Sequence, residues 1–205
     1  MVVEIIETMY KYMKVSMLFW MYLLKGAIVY GLIPSSCALL ATMKEIRSGE
    51  DHVQISERFA MYYNHYASYR WMSFAVVFCG VAVYAILFFL NVQTGPQSQL
   101  LSMFFFYLFG LLLVWLTYAL TILVKREQSV KECAAKAFVL TIKYLWISVF
   151  ILMLLWSLFY IAKLNLVLFL VMAPCLYAAI TSFLVGRFVV IPGVRRQVDH
   201  LSAQS

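Results

Sequence analysis

A single lysine, Lys25, stands near the middle of an apolar run extending from about Val15 to Ile33. A lysine at the centre of a membrane helix costs roughly 2.5–3.5 kcal/mol on insertion scales, so a residue of this kind usually has a role. Its ammonium can bind an anionic substrate or pair with a carboxylate. No Asp or Glu falls inside any of the long apolar runs, which leaves backbone carbonyls, Tyr hydroxyls and lipid phosphates as partners. The plainer alternative is snorkelling, with the stem along the helix and the charge at the outer surface. The same run meets Gly31 and Pro34. Proline removes a helix hydrogen bond, so a break is expected there. Broken helices expose backbone groups to substrates or ions in transporters, while a simple kink at the membrane exit is the structural alternative. Lys143 and Pro174 lie inside later runs, where snorkelling and a structural kink account for them.

Other chemistry is sparse. His52, His65 and His200 have no metal-ligand spacing, and Cys37, Cys79, Cys133 and Cys175 form no Cys-x-x-Cys pair; buried apolar thiols are the natural reading. No Ser/His/Asp cue, no HExxH, no phosphate-binding glycine loop and no intramembrane carboxylate pair is present. The expectation is therefore no catalytic residue, no metal and no cofactor. Ala178, Ser182 and Gly186 recur every four residues, a small face that lets helices approach closely. They are candidate helix-packing residues, within the chain or in a homo-oligomer or partner interface.

The elements that must position these residues follow from composition. The chain is 65% hydrophobic and 12% charged, about half the charge of an ordinary soluble domain. Its apolar runs approach the roughly 20 residues that a helix needs to cross the hydrocarbon core. They lack period-2 alternation, so helices are expected rather than a barrel. The predicted fold is all-α: one domain over 1–205, a bundle of five transmembrane helices at about 15–33, 73–90, 100–124, 138–160 and 164–185. Two connectors read as cytoplasmic amphipathic helices. In the stretch from Asp51 to Trp71, Ile55, Phe59, Tyr62, Tyr66 and Tyr69 recur at helical spacing with Arg58, Asn64, His65 and Arg70 interleaved. Aromatic rings with polar tips favour the headgroup layer, so this helix is expected to lie on the interface; packing on other cytoplasmic segments is the alternative. The second connector, Lys125 to Lys136, has a helix-compatible charge pattern.

Charge orients the bundle. Lys44, Arg47, Arg58, Arg70, Lys125, Arg126, Lys131, Lys136, Arg187, Arg195 and Arg196 fall on one side, against Lys11, Lys14 and Lys163 on the other. The positive-inside rule places the C-terminus in the cytoplasm and, with five crossings, the N-terminus outside. If the first run instead turns back near Gly31–Pro34, both of its ends are cytoplasmic and four helices cross. The net charge of +7 is explained by these flanks and does not point to nucleic acid. No cleavable signal peptide is expected, because Glu4 and Glu7 precede the first lysine and no small-residue cleavage site follows.

The segment Gly31-Leu32-Ile33-Pro34-Ser35-Ser36-Cys37-Ala38-Leu39-Leu40-Ala41, followed by Lys44, Arg47 and Ser48-Gly49-Glu50-Asp51 and then by Phe59, Tyr62 and Tyr66, resembles the YesL-like family of small bacterial integral membrane proteins of unassigned function. Ser35 and Ser36 stand where Ala-Thr is usual in that family, and Lys25 is an unusual charge for its helix. The resemblance implies a bacterial cytoplasmic (inner) membrane protein often encoded beside carbohydrate ABC-transporter genes. From this comes the expectation of a non-enzymatic accessory or regulatory protein associated with sugar uptake, with the lipid bilayer and a membrane protein as its partners. The alternative is a small transporter or channel with a pocket near Lys25 and the Gly31–Pro34 break.

Overall fold

The computed structural model describes residues 2–48, 54–92, 95–125 and 130–188. Among these, every regular element is helical: α1 (Val2–Lys25), α2 (Leu32–Ser48), α3 (Ile55–His65), a 3-10 turn (Tyr66–Tyr69), α4 (Arg70–Val92), α5 (Pro96–Lys125), α6 (Val130–Lys143), α7 (Leu145–Leu164) and α8 (Leu166–Phe188). Gly49, Glu50, Asp51, His52, Thr94, Arg126, Arg195, Arg196 and His200 lie outside the described residues.

Four helical stretches are long and apolar enough to cross a membrane: Ile55–Val92, Gln97–Lys125, Leu145–Leu164 and Leu166–Arg187. This is the pattern of a multi-pass membrane protein. The expected fifth, at 15–33, is not a single helix. α1 ends at Lys25, and the chain turns over Gly26–Gly31 before α2 begins. The uncharged stretch of α1 between Lys14 and Lys25 spans only about 15 Å, half of a hydrocarbon core about 30 Å thick. Tyr12 on α1 and Leu40 and Met43 on α2 line one cavity, while Gly31 abuts Leu23, so the two helices form an antiparallel hairpin.

The turn is a helix C-cap with an unusual residue in it. Ile28 N–H donates to Leu23 C=O (2.9 Å) and Ala27 N–H to Leu24 C=O (2.9 Å), the paired bonds of a Schellman motif. Its left-handed position, usually glycine, is Ala27 (φ 52°), followed by Ile28 (φ 62°). Gly26 is needed for a different reason: a Cβ there would sit 2.4 Å from the Gly31 Cα. Pro34 falls in the first turn of α2, where a missing N–H costs nothing. The hairpin tip is fastened to α4. Ser73 Oγ donates to Val29 C=O (2.6 Å) and accepts from Ile33 N–H (3.3 Å), and the Tyr30 ring stacks on Phe74.

α1 is seated on α8 by polar contacts. Ser16 Oγ donates to Cys175 Sγ (2.9 Å), and Cys175 Sγ–H donates to Tyr12 C=O (2.7 Å). α8 runs unbroken through Pro174. A proline removes the N–H that would serve the carbonyl four residues back, here Leu170. Trp20 Nε1–H supplies the missing donor at 2.8 Å. Elsewhere on α1, Met17, Met21 and Leu24 are exposed, apolar side chains suited to lipid.

α3 packs inward. Phe59, Tyr63 and Tyr66 are buried, with Phe59 and Tyr63 against Tyr22 of α1, while Tyr62 and Tyr69 are half-buried. Glu57, Met61, Asn64, His65 and Ser68 face outward. Its apolar face is therefore occupied by protein, the packed alternative rather than a lipid-facing one. Further along, the expected 138–160 helix is interrupted at Tyr144 (φ −111°, ψ 54°). The α7–α8 connection turns at Asn165, whose Oδ1 accepts from Val167 N–H (3.0 Å) and Leu168 N–H (3.1 Å), an N-cap on α8.

Candidate functional site

Lys25 is exposed at the end of α1, its Nζ 5.4 Å from the Tyr22 ring centroid. A cation in a helix's last turn complements the dipole, and among the described residues no carboxylate pairs with it. Gly31 and Pro34 are buried within the hairpin, and the backbone contact between Gly26 and Gly31 closes the turn. Lys25, Gly31 and Pro34 line none of the cavities described below.

A cavity of about 550 Å³ lies elsewhere, among α1, α2, α5 and α8. Its construction is legible from helix geometry. Lys44 and Arg47, three apart on α2, share a face, and both line the cavity with Lys125, the last residue of α5. Glu45, one residue on, is turned toward α3, where it accepts from Arg58 Nη1 (2.6 Å) and from the Tyr62 hydroxyl. That clasp takes the one nearby α2 carboxylate away from the cavity, so no carboxylate lines it among the described residues. Two guanidinium groups lie near the ring of Phe183 on α8, Arg47 5.8 Å and Arg187 5.9 Å from its centroid.

The far wall is α8, and Ala178, Ser182 and Gly186 all line the cavity. A Cβ on Gly186 would meet nothing within 4 Å. The small face is therefore open at its lower end, and its small side chains leave room for the cavity. A second, narrower cavity of about 90 Å³ runs between α1 and α8, lined by Met9, Met13, Val171 and Met172. It shares Tyr12 and Ala179 with the first.

The buried thiols are not nucleophiles in waiting. Burial pushes the Cys37 thiol well above its ordinary range, the Cys133 sulfur adding to it, and burial likewise raises Cys133. Reactivity belongs to the thiolate, which such surroundings disfavour. No group of three or more His, Cys, Asp or Glu among the described residues is arranged to hold a metal. Sequence reasoning used Lys44, Arg47 and Lys125 only as topological charges. The available signal was the pair Lys44/Arg47 on one helical face at the mouth of a small-residue stripe, but it takes four helices to bring these together.

Residues 12–92 match the model of a family described as "Protein of unknown function, DUF624". The match covers the α1–α2 hairpin, α3 and α4, and bears out the resemblance carried by the Gly31–Ala41 segment and the aromatic stretch after it. No curated protein and no solved structure matches the chain.

Proposed function

We propose that the chain is a non-enzymatic accessory or regulatory protein of the bacterial cytoplasmic membrane, acting through contact with a membrane partner. The observation that supports this best is the placement of α3. Its buried aromatic face packs against α1 and α2, the Glu45–Arg58–Tyr62 clasp fixes it, and an outward row of Glu57, Met61, Asn64, His65 and Ser68 is left facing away from the bundle. A held helix with a mostly polar outer face and one exposed methionine is suited to contact with a partner. The partner class suggested by the family resemblance is a carbohydrate ABC transporter.

The orientation we propose places Lys44, Arg47, Lys125 and Arg187 in the cytoplasm. The antiparallel hairpin then puts the start of α1 on the same side, so both ends of the chain are cytoplasmic with four crossings. This replaces the N-out arrangement expected from five. The alternative reading, a transporter or channel pocket at Lys25 and Gly31–Pro34, draws less support, because Gly26 and Gly31 close that turn by backbone contact.

Affinity capture of the tagged chain in mild detergent tests the reading. A transporter membrane subunit should be recovered and should be lost in the surface variant Glu57→Lys/Asn64→Lys, which reverses one charge and adds another. Unchanged sugar uptake in a deletion strain, with no transporter subunit captured, refutes it.

A further inference from the structure

We propose that the cavity among α1, α2, α5 and α8 is a binding site for an anionic glycerophospholipid. Its phosphodiester would sit among Lys44, Arg47 and Lys125, and an acyl chain would run along the slot between α1 and α8. This goes beyond the accessory role and does not depend on any protein partner.

Three features specify the occupant. The first is charge. Among the described residues three cations and no carboxylate line one cavity, and Glu45, the one carboxylate of α2, is held by Arg58 and Tyr62. Like charges gathered this way call for an anion, and a phosphodiester accepts from several donors at once. The second is the apolar extension. The charged cavity shares Tyr12 and Ala179 with a slot whose other walls are methionine, valine, leucine and Cys175 side chains. A free phosphate or a soluble sugar phosphate has no use for such a slot, whereas an acyl chain gains roughly 0.8 kcal/mol per buried methylene. The third is position. Lys125 closes α5, a membrane-length helix, and the α8 wall of the cavity ends beside Arg187, the level at which lipid headgroups lie. The small residues of α8 complete the site: Gly186 leaves open space where any side chain would project.

The test uses the full chain, purified in neutral detergent and exposed to an equal mixture of phosphatidylglycerol and phosphatidylcholine. Retained lipid is counted by native mass spectrometry. Wild type should retain phosphatidylglycerol in preference. At about one kcal/mol for each basic residue near the headgroups, Lys44→Gln/Arg47→Gln/Lys125→Gln should lower that retention on the order of 100-fold and leave phosphatidylcholine unchanged. Lys143→Gln, at the end of α6 and outside the cavity lining, should behave as wild type. Gly186→Leu fills the cavity without removing charge and should lower retention of both lipids. Circular dichroism melts establish that each variant is folded. Equal retention of the two lipids by wild type, or undiminished retention by the folded triple variant, overturns the proposal. Displacement of the lipid by millimolar inorganic phosphate also overturns it, in favour of a soluble phosphate compound. So does a Gly186→Leu variant that changes chain–chain association but not lipid retention, which would make a second copy the occupant.

Discussion

Trp20 and Pro174 should be energetically coupled although they are far apart in sequence, and the coupling can be estimated. Pro174 denies the Leu170 carbonyl its helical donor, and the Trp20 indole N–H, at 2.8 Å, stands in for it. Trp20→Phe removes that donor and some packing; Pro174→Ala restores the backbone N–H. In the Pro174→Ala background, Trp20→Phe should therefore lose only the packing term. The difference between the two backgrounds isolates the hydrogen bond. A buried carbonyl left without a partner costs roughly 1–3 kcal/mol in soluble proteins. Cycles between membrane helices average about 0.6 and reach about 1.7 kcal/mol, because the unfolded chain in lipid also finds partners. Proline leaves this carbonyl no intrahelical alternative, so the upper part of the membrane range applies, about 1–1.7 kcal/mol. Reversible unfolding of the four proteins in mixed micelles, followed by circular dichroism, gives the coupling. A value indistinguishable from zero, with Trp20→Phe equally costly in both backgrounds, would refute the assignment of Trp20 as the surrogate donor.

Five further outcomes are expected. In the α1–α2 turn, Gly26→Ala should destabilise by roughly 2–3 kcal/mol, since its Cβ meets Gly31 backbone at 2.4 Å and backbone cannot rotate away. Ala27→Gly should stabilise by about 0.5–1 kcal/mol by relieving a left-handed alanine at φ 52°; thermal melts decide both signs. Ser73→Ala strips partners from the Val29 carbonyl and the Ile33 amide and should cost roughly 1–3 kcal/mol, read as faster amide exchange across 26–33. Thr42 Oγ1 is buried without a hydrogen-bond partner, so Thr42→Val should raise stability by about 1 kcal/mol; a lower melting temperature would contradict this. Cys37, whose thiol is pushed up by burial, should resist alkylation until the protein unfolds. Because its folded value lies above its unfolded one, its contribution to stability is complete below about pH 8.5 and falls as pH rises beyond that. Cys37→Ala should flatten the alkaline decline in stability.

The membrane helices were legible because length and hydropathy alone decide them. The runs predicted at 73–90, 100–124 and 164–185 lie within α4, α5 and, but for its first two residues, α8. The first run misled for a specific reason. Ala27, Ile28, Val29 and Tyr30 carry apolar character straight through the turn, so hydropathy does not register it. The informative pair was Gly26 and Gly31, close enough to let two backbones touch; Pro34 drew attention but sits harmlessly in the first turn of α2. The aromatic positions of α3 had the correct period, yet periodicity cannot say whether protein or lipid receives the apolar face. That was decided by Tyr22 on another helix. The cavity was least legible. Its cations come from two helices and its open wall from a third, and the Glu45–Arg58–Tyr62 clasp that keeps it basic joins residues 13 and 17 positions apart.

The contacts that seat α1 on α8 span 150 to 163 positions of sequence. During synthesis at about 5–20 residues per second, the first helix emerges roughly 8–30 s before the helix that receives it. Through that interval the Trp20 indole and the Ser16 hydroxyl must be served by water, headgroups or insertion machinery. Contacts on α8, formed late in synthesis, are the ones that settle α1. A chain interrupted before Leu166 would carry its membrane hairpins α4–α5 and α7 but have no dock for its own beginning, which gives cellular quality control a simple feature by which to recognise an unfinished copy.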